Sequence, residues 1–183
     1  YKTVIIGAFW GFHGLDNNGF AMHLTTLEEY GVRCAIQLAR QFDQGALPAS
    51  QIAIREGLSV EYVSKIMHLF RKASLVSSER GTQGGFYLSL DTREISLSEI
   101  FRSLRAKKED RTFCSVYTGN REACVHEREC GVRPVWEFVF TYLENVMGEL
   151  SLYDLLQGEQ HAQQVVYRLA QRSASSDEAF SLR

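Results

Sequence analysis

Cysteine, net charge and long apolar runs are all scarce in this sequence. Four cysteines among 183 residues are too few for a disulfide-stabilised secreted scaffold, so we predict a reducing, cytoplasmic environment. A formal net charge of −2 excludes a uniformly basic surface, and any nucleic-acid contact must come from a local patch. The apolar run VIIGAFWGF, at nine residues, is too short to span a membrane.

Enzyme signatures are missing as well. The sequence contains no nucleophile elbow, phosphate-binding loop or paired-carboxylate motif, and its five histidines have no evident triad partners. We therefore predict that the protein is not an enzyme.

The N-terminal segment differs from the rest of the chain. Residues 1–21 carry a single Lys ahead of their apolar run and no A-x-A cleavage site, which argues against a signal peptide. We interpret them as a non-native or disordered extension, with Met22 as the natural start. A genuine extension or address is the alternative.

From Met22 onwards the apolar residues recur at helical spacing. The stretch TTLEEYGVRCAIQLARQF offers two overlapping capping boxes, Thr25 with Glu28 and Thr26 with Glu29, ahead of an amphipathic helix. A second amphipathic segment follows, and we predict that both belong to one DNA-binding domain over residues 22–100.

That second segment has the spacing of a helix-turn-helix motif. It predicts a helix after Pro48, a turn at Gly57 and a second helix capped by Ser59. The polar face of the second helix carries short hydrogen-bonding side chains and lysines, as a recognition helix does; a merely solvated helix is the alternative. The DNA-contacting candidates on this helix are Ser59, Tyr62, Ser64 and Lys65.

Strand-like residues flank RGTQGG directly after this helix. The glycines permit the backbone of a β-hairpin tip, so we predict a wing with Arg80 at its tip, in position to contact DNA. A solvated turn arginine is the alternative. The expected fold is mainly α with a small β-hairpin wing, that is, a winged helix-turn-helix domain.

The C-terminal half is predicted in three parts: a cysteine-containing loop region over 101–133, a dimerisation helix over 134–156 and a flexible tail over 157–183. A long helix with a wide apolar stripe needs a partner, and this favours a homodimer. The stripe comprises residues 135, 136, 139, 142, 143, 146 and 150, with Phe138 and Phe140 outside it.

Three cysteines lie in the loop region, separated by nine and then five residues: Cys114, Cys124 and Cys130. This spacing differs from a zinc ribbon and from a ferredoxin run. It leaves open an iron–sulfur cluster with a fourth ligand from elsewhere, zinc with His126, a thiol switch, or unligated thiols. Cys34 falls on an apolar helix face and is expected in the core.

The order of these features resembles the Rrf2 family of bacterial winged-helix regulators. The resemblance rests on MHLTTLEEYGVRCAIQLA, on LSVEYVSKIMHLFRKASLVSSERGTQGGFYLSL, on the three-cysteine loop and on SLYDLL. It implies a dimeric repressor or activator that binds a pseudo-palindromic DNA operator and senses iron, redox state or nitric oxide through an iron–sulfur cluster. A 4Fe–4S cluster is favoured, with 2Fe–2S as the alternative.

The resemblance also implies a ligand set. Cys114, Cys124 and Cys130 match the family's three ligands, although the first gap is longer than usual. Some members use a histidine three residues after the third cysteine, where this chain has Arg133. Others use a carboxylate eighth from the start, which is Glu29 when counted from Met22, so Glu29 is the expected fourth ligand. A capping role with Thr26 is the competing interpretation.

A zinc- or thiol-based regulator and a DNA-free interaction module with a degenerate loop stay open as alternative functions.

Overall fold

The computed structural model describes residues 24–81, 84–105, 114, 118–126 and 129–177, so the predictions for 1–21 and for parts of the 101–133 loop region lie outside the described residues. In chain order the described elements are α1 (Thr26–Arg40), α2 (Ala49–Glu56), α3 (Val60–Lys72), β1 (Val76–Glu79), β2 (Gly85–Leu88), α4 (Leu97–Leu104), α5 (Arg133–Glu149), α6 (Leu152–Leu156) and α7 (Glu159–Asp177). Among the described residues, no helix combines the length and the apolar character needed to cross a bilayer.

Only one of the two predicted capping boxes forms at the start of α1. Thr25 is the N-cap: its hydroxyl accepts from the Glu28 amide at 3.2 Å, and its amide donates to the Glu28 carboxylate at 2.9 Å. Thr26 is already inside the helix, so the predicted Thr26–Glu29 box is absent. Glu29 is exposed and is left out of the cap.

The capping carboxylate also ties α1 to the end of α4. Arg105 Nε donates to Glu28 Oε1 at 2.8 Å. Although burial raises the pKa of Glu28, hydrogen bonds from Thr25 and Arg105 outweigh it and leave this pKa below its ordinary value. Arg105 is the C-cap residue of α4 and lies within the predicted loop region 101–133, so this contact attaches the start of α1 to the beginning of that region.

The predicted helix-turn-helix is present. Gly57 ends α2 with φ of 68°, a left-handed conformation that favours glycine, and Ser59 Oγ accepts from the Tyr62 amide to begin α3. The inner faces of α1, α2 and α3 form one core that includes Cys34, Leu38, Ile52, Val63, Ile66, Met67 and Phe70.

The predicted wing is also present, and it carries a short third segment. Strands β1 and β2 are antiparallel, with Val76 opposite Leu88 and Glu79 opposite Gly85. Leu47 exchanges two backbone hydrogen bonds with Phe86, at 2.8 and 2.9 Å. A Cβ on Gly85 would lie 2.5 Å from the Leu47 carbonyl, so only glycine permits this approach.

Helix α5 presents two different apolar faces. Trp136, Val139 and Leu143 are half-buried, whereas Phe138 is 66% exposed and Val135 57% exposed. Phe138 therefore belongs to the exposed apolar face, although the sequence pattern placed it outside the stripe. Its ring stacks on Tyr142 with centroids 6.2 Å apart.

The structure differs from the prediction after residue 149. The predicted helix over 134–156 is divided, because Leu150 is extended and Ser151 forms a new capping box with Asp154. The segment predicted as a flexible tail over 157–183 instead contains α7, whose Val165 and Leu169 are buried against Leu150. Val165 and Leu169 are four residues apart and therefore lie on the same face of α7.

Candidate functional site

The predicted DNA-contacting residues lie on α3 and the wing, but their environments differ. Ser64, Lys65 and Arg80 are exposed, and Arg80 directly follows β1 at the wing tip. Ser59 is exposed, and its hydroxyl caps α3. Tyr62 is half-buried, so the structure gives it a packing role beside any DNA contact.

Tyr62 belongs to a chain of contacts that joins the three helices of the motif. Its ring meets Tyr30 of α1 edge to face, with centroids 6.0 Å apart. Arg33 lies over the Tyr30 ring at 5.2 Å and binds Glu56 of α2 at 2.6 Å. A movement of α1 would therefore displace the recognition helix α3 through these contacts.

The four cysteines fall into two classes. Cys34 is fully buried in the core, as predicted, and burial raises the pKa of its thiol to about 12. It stays protonated at physiological pH, and this excludes it as a thiolate ligand or nucleophile. Cys114, Cys124 and Cys130 are partly exposed and unpaired.

Arg133, the first residue of α5, joins two of the loop cysteines. Its Nε donates to Cys114 Sγ at 3.1 Å, and its backbone amide donates to Cys130 Sγ at 3.4 Å. One guanidinium nitrogen also donates to the carbonyl of His126 at 3.4 Å. The hydrogen bond to Cys114 raises the pKa of the Arg133 guanidinium above its ordinary value.

The start of α5 is electropositive towards these sulfurs. The N-cap residue Val132 has no side chain that could accept a hydrogen bond from the helix, and Pro134 has no amide hydrogen. The Cys130 sulfur accepts a hydrogen bond from the backbone amide of Arg133, and the helix dipole adds partial positive charge there.

The donor chemistry fits an iron–sulfur cluster, because soft thiolate ligands are what such clusters require. The structure places only two of the proposed ligands, Cys114 and Cys130, beside the same residue. Among the described residues, no group of three or more His, Cys, Asp or Glu side chains could hold a metal ion. Arg133 links Cys114 and Cys130, whereas no hydrogen bond among the described residues joins Cys124 to them.

Glu29 lies at the other end of the candidate site, in the first turn of α1. It is exposed, next to both the capping residue Glu28 and the packing residue Tyr30. The role of Glu29 as fourth ligand stays a prediction. The capping box with Thr26, which was the competing interpretation, does not form.

Sequence reasoning did not assign a role to Arg133. It treated the position only as a departure from the histidine that some family members carry. The one available signal was an arginine at a helix start three residues after a cysteine, and that signal is weak.

Comparison with known proteins identifies the family. The model of the Rrf2 family, described as an iron-dependent transcriptional regulator, matches residues 24–158, which is more than half of the chain. The chain belongs to the Rrf2 family. This Rrf2 protein is thus a DNA-binding transcriptional regulator, and its relatives are regulators and not enzymes. The predicted family, fold class and non-enzymatic character are confirmed.

Individual relatives agree with this assignment. IscR of Xenorhabdus nematophila is 27% identical over 139 residues, which is 76% of this chain and 82% of that protein. The solved structure of T. potens IscR superimposes with a TM-score of 0.59 at 30% identity, covering 74% of this chain and 87% of its own. The oxidised form of Staphylococcus aureus CymR gives 0.57 at 25% identity, covering 75% and 98%.

Proposed function

We propose that this Rrf2 protein is a cytoplasmic homodimer whose affinity for a DNA operator is controlled by an iron–sulfur cluster. Cys114, Cys124 and Cys130 would hold the cluster, with Glu29 of the partner subunit as fourth ligand. The observation that carries the proposal is the loop itself: three part-exposed cysteines, two of which accept hydrogen bonds from Arg133 at the start of α5, in a chain with a winged helix-turn-helix.

The cysteine loop would change its order when the cluster binds or is lost. A polar loop of this length orders only if something offsets a conformational entropy cost of about 1–2 kcal/mol per residue, and ligation by three cysteines can do so. When bound, an iron–sulfur cluster supplies iron and sulfide that react with oxidants and nitric oxide and that depend on iron supply. Loss of ligation would release the loop.

The first helix would carry the response to the DNA-binding surface. Arg105 ties the entrance of the loop to Glu28 at the start of α1. Two residues further along α1, Tyr30 packs on Tyr62 of the recognition helix. If Glu29 ligates across the dimer, loop and helix are fixed together, and the angle between the two recognition helices depends on ligation. The affinity change expected from such coupling is about 5–150-fold.

The visible absorption spectrum of anaerobically purified protein tests this proposal. Thiolate-bound iron absorbs between roughly 320 and 450 nm, whereas zinc-bound and metal-free forms do not. We expect this absorption together with iron and sulfide in the purified protein. Protein that contains zinc alone, or no metal even after anaerobic reconstitution, would refute the cluster.

A thiol switch at the same cysteines is the second candidate. Arg133 donates to the Cys114 sulfur from Nε at 3.1 Å and to the Cys130 sulfur from its backbone amide, so one residue contacts two of the thiols. One structural relative is described as the oxidised form of S. aureus CymR. A metal-free protein whose DNA affinity changes on reversible formation of a disulfide would favour this candidate over the cluster.

Replacement of Glu29 by alanine tests the fourth ligand. The cluster should still assemble on three cysteines but be lost at least about 10-fold faster to a chelator, because one coordination position is open to water. The free energy of unfolding of the metal-free protein should change by less than about 0.5 kcal/mol, since Glu29 caps nothing.

Glu28→Ala is the matched control. It removes the capping box and the Arg105 contact, so it should cost the metal-free protein about 0.5–2 kcal/mol. If Glu29→Ala leaves the spectrum and lability of the cluster unchanged while His126→Ala disrupts them, the fourth ligand is His126.

The wing and recognition helix predict separable effects on DNA binding. A two-fold dimer should select a pseudo-palindromic operator with half-sites about one helical turn apart or slightly more. Lys65→Ala and Arg80→Ala should both weaken binding, and whichever of the two contacts only phosphate should weaken binding to all sequences alike and flatten the salt slope by about one unit. Ser64→Ala should alter sequence preference instead.

Fluorescence anisotropy at several salt concentrations measures these effects, with Arg40→Ala at the end of α1 as the control. Ser59→Ala and Tyr62→Ala need a parallel stability measurement, because Ser59 caps α3 and Tyr62 packs on Tyr30. Unchanged affinity in both Lys65→Ala and Arg80→Ala would move the DNA-binding surface elsewhere.

A further inference from the structure

Arg133 forms hydrogen bonds with several residues of the cysteine loop. Within the described part of the loop, its side chain and backbone donate to Cys114, which is 19 residues away, to His126, which is seven away, and to Cys130, which is three away. Among the described residues of the loop, the side-chain hydrogen bonds all involve Arg133. The loop is therefore fastened to α5 through this residue.

The chemistry of arginine suits this position. The guanidinium is permanently charged and has no lone pair for a metal, so Arg133 cannot itself be a ligand. Its planar group offers several donors in a fixed arrangement, and two of them already point at Cys114 Sγ and the His126 carbonyl. The third contact uses the backbone amide, so the position of the helix start and the position of the side chain are set together.

We propose that Arg133 is the positioning residue of the cysteine site: it holds Cys114 and Cys130 beside the start of α5 before ligation and donates to their sulfurs afterwards. This inference rests on the proposed cluster and adds the residue that organises its ligands. In the metal-free chain Arg133 reduces the conformational freedom that two ligands would otherwise lose on binding. In the ligated chain its N–H groups and charge stabilise negative charge on the sulfurs.

The second role has a signature that simple packing lacks. Reduction of a bound cluster adds negative charge, and donors to the ligand sulfurs favour the reduced form. Removal of the Arg133 side chain should therefore make the reduction potential more negative. Loss of a merely structural contact would change stability and leave the potential where it was.

The experiment compares Arg133→Gln and Arg133→Lys with the full-length parent protein after anaerobic reconstitution. Arg121→Gln is the matched control, because Arg121 is exposed in the same loop and has no hydrogen bond or ion pair with the described residues. We expect Arg133→Gln to lose iron to a chelator about 10–100-fold faster and to have a more negative potential. Arg133→Lys should be intermediate because it keeps the charge, and Arg121→Gln should match the parent.

A measurement on metal-free protein separates this inference from the proposed function. A reagent that bridges two neighbouring thiols, applied to the Cys124→Ser background and read by mass spectrometry, should couple Cys114 to Cys130. Coupling should be several-fold slower with Arg133→Gln. If the parent protein binds no cluster, the proposed function fails, while this metal-free comparison still decides the positioning role.

Equal coupling rates, or equal chelator rates and potentials, in parent and Arg133→Gln would overturn the inference. If Arg133→Gln does not fold by circular dichroism, Arg133→Lys decides the case. A lysine variant identical to the parent in coupling rate and potential would contradict a role that depends on the planar guanidinium.

Discussion

Serine in place of any one of Cys114, Cys124 and Cys130 is expected to abolish the iron–sulfur absorption of the anaerobically purified protein. Each thiolate supplies one of only three cysteine ligands, and a serine hydroxyl is a hard, weakly acidic donor that does not replace a soft thiolate. Iron and sulfide content should fall to background in all three variants. Circular dichroism should still report the helices of the DNA-binding domain, because none of the three cysteines is buried in the core.

Cys34→Ala is the control for this series. Cys34 is fully buried among core residues of α1, so its loss should reduce stability modestly and leave iron content unchanged. Retention of full absorption by Cys124→Ser would be the most informative contrary result. Among the described residues, Arg133 hydrogen-bonds to Cys114 and Cys130 and not to Cys124, and such a result would leave Cys114 and Cys130 as a pair suited to a disulfide switch.

Glutamate at Phe138 is expected to convert the proposed dimer to monomers and to weaken operator binding by about 100-fold or more. Val135, Phe138 and Tyr142 lie at spacings of three and four residues on the exposed face of α5, and Phe138 is 66% exposed. A contiguous apolar face of this kind normally meets a partner, and a buried carboxylate would destabilise that contact. A dimer that binds two half-sites together has an affinity roughly 10²–10⁴-fold higher than a single half-site contact gives, and monomers lose this gain in affinity.

Analytical ultracentrifugation and anisotropy on the same samples measure both effects. Gln164→Glu on α7 adds the same charge at a polar, exposed position, and it should leave the dimer and the affinity unchanged. Phe138→Glu protein that stays dimeric and binds its operator like the parent would place the dimer interface on another surface.

The DNA-binding domain could be predicted from sequence because its signals are local. Ser59 is a helix N-cap, Gly57 takes the left-handed conformation of a helix end, and glycines mark the tip of the wing. These residues act within a few positions of themselves, so no tertiary information is needed to interpret them. The contact of Leu47 with Phe86 was not predictable in this way, because it joins residues far apart and depends on the absence of a side chain at Gly85.

The C-terminal half shows where local signals are insufficient. A polar composition predicted a flexible tail, but two apolar residues, Val165 and Leu169, dock α7 on Leu150. The same limit applies to the choice between capping boxes. Thr25 with Glu28 and Thr26 with Glu29 have identical spacing, and the contact of Arg105 with Glu28, 77 residues apart, supports the first box.

The cysteine site was predictable in its residue types and not in its organisation. Spacing identified Cys114, Cys124 and Cys130 as a group, and an apolar helix face identified Cys34 as core. The role of Arg133 depends on two sulfurs meeting at a helix start, and one of those sulfurs belongs to a residue 19 positions earlier. A hydrogen bond between residues so far apart in the sequence produces no residue pattern from which it could be predicted.

The most direct test of the central claim is the operator affinity of one preparation measured before and after anaerobic removal of its cluster. The operator would be selected from random duplex DNA, and binding would be measured by anisotropy at fixed salt. We predict a pseudo-palindromic operator and an affinity that changes by about 5–150-fold when the cluster is removed. An affinity that is the same in both forms would contradict control by the cluster, even if the cluster is present and the DNA is bound.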